Sequence, residues 1–118
     1  MTDCPNTPLN HTPAKVYAHS MAAIDWLEAN PEKQLTGMFA ATADRRYVRH
    51  RDPDAACFCV LGRIAKDVGL HNICHITSYM RIIGVEDDDV ADMNDAGEPL
   101  SKIRDHITRQ YERTSLDD

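Results

Sequence analysis

At 118 residues, 42% apolar and 27% charged, the chain can bury one hydrophobic core without staples and is neither disordered nor fibrous. No apolar run approaches the ~20 residues that span a bilayer, and the opening Met1-Thr2-Asp3-Cys4-Pro5-Asn6 lacks the basic and apolar regions of a secretory signal, so a cytoplasmic location with no membrane partner is expected. The net charge is −6, with eight basic and eight acidic side chains in residues 1–69 against five and eleven in residues 70–118, a balance that disfavours general nucleic-acid binding, which depends on neutralising phosphates.

Residues 1–11 hold two prolines and two asparagines and read as a flexible arm. Thr12-Pro13 is a helix start, with threonine as N-cap and proline at the first helical position. The helix extends to about Ala29 on a stripe of Tyr17, Met21, Ile24 and Leu27, widened by Val16 and Ala23, with Trp26 to one side against a loop. Asn30-Pro31 ends it, because the residue before proline avoids helical geometry. Residues 31–52 are irregular. Leu35-Thr36-Gly37-Met38-Phe39-Ala40-Ala41 is either a short strand or a helical turn, and Tyr47-Val48-Arg49-His50 is its hairpin partner if it is a strand.

Asp52-Pro53-Asp54 repeats the cap-then-proline signature and predicts a helix carrying Cys57, Leu61, Ile64 and Val68 on one face. Phe58, Val60 and Ala65 add a second apolar face, which places this helix in the middle of a bundle. Gly62 inside it costs about 1 kcal/mol of propensity relative to alanine, which is offset if another backbone comes close there; it also permits a homodimer through close helix packing. Gly69 is the C-terminal cap. Ile73, Ile76, Met80 and Ile83 predict a third helix over 72–83, closed by Gly84. Glu86-Asp87-Asp88-Asp89 reads as a solvated charge run, with Val90 and Met93 tucked inward from a loop. Asn94-Asp95-Ala96-Gly97 has turn chemistry, and Pro99 opens a last helix whose face is Leu100, Ile103, Ile107 and Tyr111. The expected architecture is mainly α: a small four-helix domain over 12–113 with an irregular or β-hairpin insertion between helices 1 and 2, and a frayed tail at 114–118.

Cys59-Val60-Leu61-Gly62-Arg63-Ile64 resembles the Cys-x-x-Gly-Ala-Leu helix of a family of small uncharacterised bacterial and bacteriophage proteins, in which a later Asn-Asp turn precedes a final amphipathic helix. Asn94-Asp95-Ala96-Gly97, followed by Leu100 and Ile103, is similar to that second part, so the resemblance covers residues 52–110. The chain departs from the pattern at Arg63, where the family has a small residue. The resemblance implies a compact helical domain with an accessory role and brings no activity with it.

Four constellations could carry chemistry. His71, Cys74 and His75, with Cys57 and Cys59 one helix earlier, have the ligand types of a zinc site but the spacing of none. The alternative makes Cys57 and Cys59 small buried hydrophobes. With no signal peptide, the four cysteines are expected to be reduced thiols. A calcium loop begun at Asp92 puts Ala96 where a ligand is needed and Ile103 where a bidentate glutamate is needed. A cysteine–histidine nucleophile lacks any sign of pairing, and no phosphate-loop, serine-elbow or dinucleotide motif is present. The fourth is Arg45-Arg46-Tyr47-Val48-Arg49-His50-Arg51. Arg45, Arg46, Arg49 and Arg51 offer forked donors to phosphate, and Tyr47 a stacking face; the alternative is a solvated loop whose charge balances the acidic half.

The resulting expectation is a non-enzymatic binding protein, with no catalytic residues, metal or cofactor assigned. In its phage-type form it docks on and inhibits a host or defence protein through Asp87, Asp88, Asp89 and Asp92. The competing expectation is a protein that binds or sequesters a phosphorylated small molecule, such as a nucleotide, through Arg45, Arg46, Tyr47, Arg49 and Arg51. A thiol or zinc enzyme is a third.

Overall fold

The computed structural model describes residues 11–116; residues 1–10 of the expected arm and the last two positions of the expected tail lie outside the described residues. The described chain forms five α-helices and a two-stranded sheet: α1 (Pro13–Ala29), β1 (Ala40–Ala41), β2 (Cys57–Phe58), α2 (Val60–Val68), α3 (His75–Arg81), α4 (Asp87–Asp95) and α5 (Leu100–Leu116), with a 3-10 turn at Pro31–Lys33.

Helix α1 starts where its cap places it. The Thr12 hydroxyl accepts from Lys15 N at 3.2 Å, and Asn30 closes the far end with its backbone N–H on Leu27 O. Val16, Ser20, Ala23, Ile24 and Leu27 face inward. The buried Ser20 hydroxyl is satisfied by donating to Val16 O at 2.8 Å. α1 packs on α2 and α5, α2 on α4, and α4 on both α3 and α5. The main core joins Val16, Ile24 and Leu27 to Leu61 and Ile64 of α2, Ile76, Tyr79 and Met80 of α3, Val90 of α4, and Ile103 and Ile107 of α5. On the outside, Arg104 of α5 reaches Asp25 at 2.6 Å and Glu28 at 2.7 Å on α1.

Several expectations are corrected. Asp52-Pro53-Asp54 does not open a helix. Asp52 instead accepts from Asp54 N at 2.8 Å in a local turn, and the chain stays extended through β2 before α2 begins at Val60. The N-cap is Cys59, whose Sγ accepts from Gly62 N at 3.3 Å. The hairpin partner of β1 is β2, antiparallel with Ala40 opposite Phe58 and Ala41 opposite Cys57. The Tyr47 segment contributes a single bridge to Ala41.

The acidic run, expected as a loop, is the start of a fifth helix. Asp87, Asp88 and Asp89 occupy the first turn of α4, where carboxylates complement the partial positive charge of unpaired backbone N–H groups. Thr77 also donates to Asp87 at 3.1 Å, joining α3 to α4. Of the turn expected over Asn94-Asp95-Ala96-Gly97, Ala96 and Gly97 (φ +77°) make it, and Asn94 and Asp95 belong to the end of α4. The final helix runs to Leu116, past the expected boundary at 114.

Gly62 is where a second backbone comes close. The carbonyl oxygen of Phe39 occupies the space a Cβ would take, and Phe39 C would lie 2.7 Å from that Cβ. The same carbonyl accepts from Cys59 N at 3.2 Å. The Cys-x-x-Gly motif is therefore a local fit: the cysteine caps α2, and the glycine admits the strand segment that crosses it. Arg63 lays its guanidinium 3.9 Å from the Trp26 ring centroid and pairs with Asp67 at 3.0 Å. Trp26 in turn meets Phe58 edge-on at 5.9 Å. The expected loop contact of Trp26 is thus a layer of Arg63, Trp26 and Phe58.

Tyr79 is fully buried, and its hydroxyl has no hydrogen-bond partner among the described residues. Burial pushes the Tyr79 phenol from 10.0 up to about 12 and, as the largest cause, the Cys59 thiol from 9.0 up to about 11. Both groups are held neutral in the folded state, so their contribution is complete below pH 9 and is lost as pH rises through roughly 9–12. Thermal melts between pH 7 and 11 should show this alkaline loss. Tyr79→Phe removes an unsatisfied hydroxyl; it should match or exceed the parent at pH 7, by up to about 1 kcal/mol, and lose less at high pH. Stability at pH 7 well below the parent would show that the hydroxyl is not an orphan.

Candidate functional site

The arginine tract divides at Tyr47. Before it, the chain makes a tight turn. Arg45 N donates to Thr42 O at 2.9 Å, the Thr42 hydroxyl donates to Asp44, and Arg45 takes a left-handed conformation at φ +70°. This turns the first two arginines away from the rest. Arg45 Nη2 donates to Glu32 O at 2.7 Å, and Arg46 faces Asp44 at 3.6 Å.

After Tyr47 the chain is held against two walls. Val48 N donates to Ala40 O at 3.3 Å. His50 is buried, and its Nε2–H donates to Leu70 O at 2.6 Å. Arg51 Nη1 donates to His71 Nδ1 at 2.8 Å. The second wall exists because Gly69 ends α2 in the left-handed region (φ +79°), so that Leu70 N folds back onto Ala65 O at 3.0 Å and the chain turns toward His71.

Between residues 47–51 and 71–74 lies a cavity of about 380 Å³. Tyr47, Arg49, His50, Arg51, His71 and Asn72 give it a polar, cationic lining, and Phe39, Val48 and Ile73 an apolar one; Cys74 completes the wall. Among the described residues no carboxylate belongs to that lining. Tyr47 is the one large hydrophobic side chain described as exposed, at 66%. Of the five arginine-tract candidates, Tyr47, Arg49 and Arg51 therefore come together at one cavity, and Arg45 and Arg46 lie outside its lining. His50, His71 and Asn72 are additions. His71 stands in the sequence only among zinc-type ligands, and nothing local links it to Arg51.

The other candidates are placed as follows. Asp88, Asp89 and Asp92 are exposed on α4, and Asp87 is partly buried against Thr77. Cys57 and Cys59 are free and buried. Cys57 sits with Leu35 and Ala41 in a small satellite cluster and Cys59 in the main core. The raised pKa of Cys59 makes it a poor nucleophile. Cys74 is disulfide-bonded, which corrects the expectation of reduced thiols at that position. Among the described residues no group of three or more His, Cys, Asp or Glu side chains is arranged to hold a metal ion, and no helix is long and apolar enough to cross a membrane.

No protein-family model matches the chain, nor does any curated protein or any solved structure at a significant level.

A further depression lies along α5, lined by His106, Arg109, Gln110, Glu112 and Arg113. It draws on a single helix and carries a carboxylate in its wall, so it is less suited to an anion than the cavity at Arg49 and Arg51.

Proposed function

We propose that this is a non-enzymatic binding protein for a small phosphorylated anion of the nucleotide class, held in the cavity between residues 47–51 and 71–74. The observation that carries the reading is the lining: Arg49, Arg51, His50 and His71 share one cavity with no carboxylate among the described residues that form it. A guanidinium presents a rigid fork of donors that matches phosphate oxygens. The exposed Tyr47 adds an aromatic face for a base. The volume of about 380 Å³ falls in the usual range for small-molecule sites.

Thermal shift against a panel of nucleoside mono-, di- and triphosphates tests this, with the double variant Arg49→Ala/Arg51→Ala as control. Ligand at 100 times its Kd stabilises by about 2.7 kcal/mol, a rise of several degrees that the double variant should lose. A flat panel, or an equal shift in the variant, would refute the reading.

A second reading follows from α4, where Asp88, Asp89 and Asp92 are exposed and have no ion pair with the described residues. An acidic face of this kind suits docking on a basic protein groove, in line with the phage-type expectation. That complex would weaken with salt and on joint neutralisation of Asp88, Asp89 and Asp92. An affinity that does not change with salt counts against it.

A further inference from the structure

We infer that Arg51 and His71 form a proton-gated oxyanion subsite, in which the anion and one proton bind together. This rests on the cavity reading above and concerns how that site is switched.

Arg51 Nη1 donates to His71 Nδ1 at 2.8 Å. An arginine nitrogen only donates, so Nδ1 must offer its lone pair, and the imidazole in this arrangement is neutral with its proton on Nε2. The pair is a latch. An arriving oxyanion that uses this edge of the guanidinium must take it from the imidazole.

Protonation of Nδ1 reverses the contact. The imidazolium has no lone pair left to accept with, and two like charges then stand at hydrogen-bond distance. An oxyanion placed between them accepts from both and removes the repulsion. Anion and proton therefore favour the same state, and by linkage each strengthens the binding of the other.

Among the described residues that line the cavity, none offers a negative charge to compensate the pair. Across the cavity, the segment bearing Arg51 presents Arg49, His50 and Tyr47. Its own loop adds Asn72, which is uncharged, and Cys74, which is disulfide-bonded and does not titrate. His50 does not duplicate the latch. Its Nε2–H donates to Leu70 O at 2.6 Å, a bond kept in either protonation state. His71 is exposed, so protons reach it, and substitution there leaves the core intact. Imidazole is the side chain whose charge changes in the physiological range.

The test uses sulfate, whose charge is constant across the range, with phosphate and the nucleotide panel as further arms. Affinities are measured from pH 8 to pH 5.5 by calorimetry in buffers of different ionisation enthalpy. Sulfate should bind the parent at least roughly tenfold more tightly at the acid end and take up about one proton. His71→Asn keeps an acceptor near the Nδ1 position that cannot titrate. It should still bind, with the pH slope flattened and no proton uptake. Equal parental affinity at both ends, or a slope that survives in His71→Asn, overturns the gate and leaves the cavity reading standing. Absence of binding by every anion at every pH overturns both.

Discussion

Replacing Gly62 with alanine is expected to destabilise the protein by about 3 kcal/mol or more, lowering the melting temperature by roughly 10 °C. On propensity alone the change should be favourable by about 1 kcal/mol, because the position lies inside a helix. The two arguments predict opposite signs, which makes the experiment decisive. The new methyl would meet the Phe39 carbonyl, and Phe39 C at 2.7 Å. Backbone on the far side cannot rotate away as a side-chain tip could. Phe39 O is also committed to Cys59 N at 3.2 Å, so retreat breaks the bond that starts α2. Gly69→Ala is the matched control. Its φ is +79° and nothing lies within 4 Å of the added atom, so it should cost only the strain of a left-handed residue, about 1 kcal/mol. Chemical denaturation of both variants separates the cases, and a Gly62→Ala protein as stable as the parent would remove the proposed contact.

The second large effect is expected at Asn94. This side chain is buried, and all four of its hydrogen-bonding positions are filled. Its Nδ2 donates to Leu35 O at 2.6 Å and to Asp95 at 3.3 Å. Its Oδ1 accepts from Val60 N at 3.2 Å and from Gln34 Nε2 at 3.1 Å. Asn94→Ala strands a buried carbonyl and a buried amide at once, at a cost of about 3 kcal/mol or more. Asn94→Asp, nearly the same shape, adds a sign to the test. At neutral pH a carboxylate oxygen would face Leu35 O without a donor between them. A protonated acid could donate there, so burial raises the folded-state pKa of the new carboxyl above its unfolded value. The variant should then be most stable at acid pH and weaken as pH rises through that value. Melts of parent and variant from pH 4 to 8 should diverge upward in pH. Parallel curves would place the amide outside the network.

How far the sequence was readable depended on which force decided each element. α1 was legible to the residue, because Thr12-Pro13 and Asn30-Pro31 are local instructions. The buried faces were legible in part: Ile24 and Leu27, Leu61 and Ile64, and Ile103 and Ile107 are buried as their helical spacing implies, whereas Tyr17, Met21, Leu100 and Tyr111 lie at the edge of the core and Cys57 is in a strand. α2 was misplaced at its start because Asp52-Pro53 caps a turn as readily as a helix, and the extended pairing of Cys57 with Ala41 depends on a partner sixteen residues away. α4 is masked by its charge, which outweighs its apolar periodicity, although Val90 and Asn94 lie one turn apart on the inner face. Half of the cavity was legible as the arginine tract. The other half, His71 and Asn72, reaches it only through the turn that Gly69 makes, and no local pattern encodes that meeting.

The Asn94 bonds have a consequence for the newly made chain. The carbonyl of Leu35 and the amide of Val60 must wait for an amide group carried some sixty and thirty-four residues downstream. During synthesis these two groups, one between α1 and α2 and the other at the first residue of α2, stay bonded to water and cannot be buried at low cost until Asn94, in the last third of the polypeptide, has been made. Assembly of this domain is then a late and concerted event rather than a stepwise one from the N-terminus, and fragments ending before α4 should be substrates for chaperones and proteases rather than folding units.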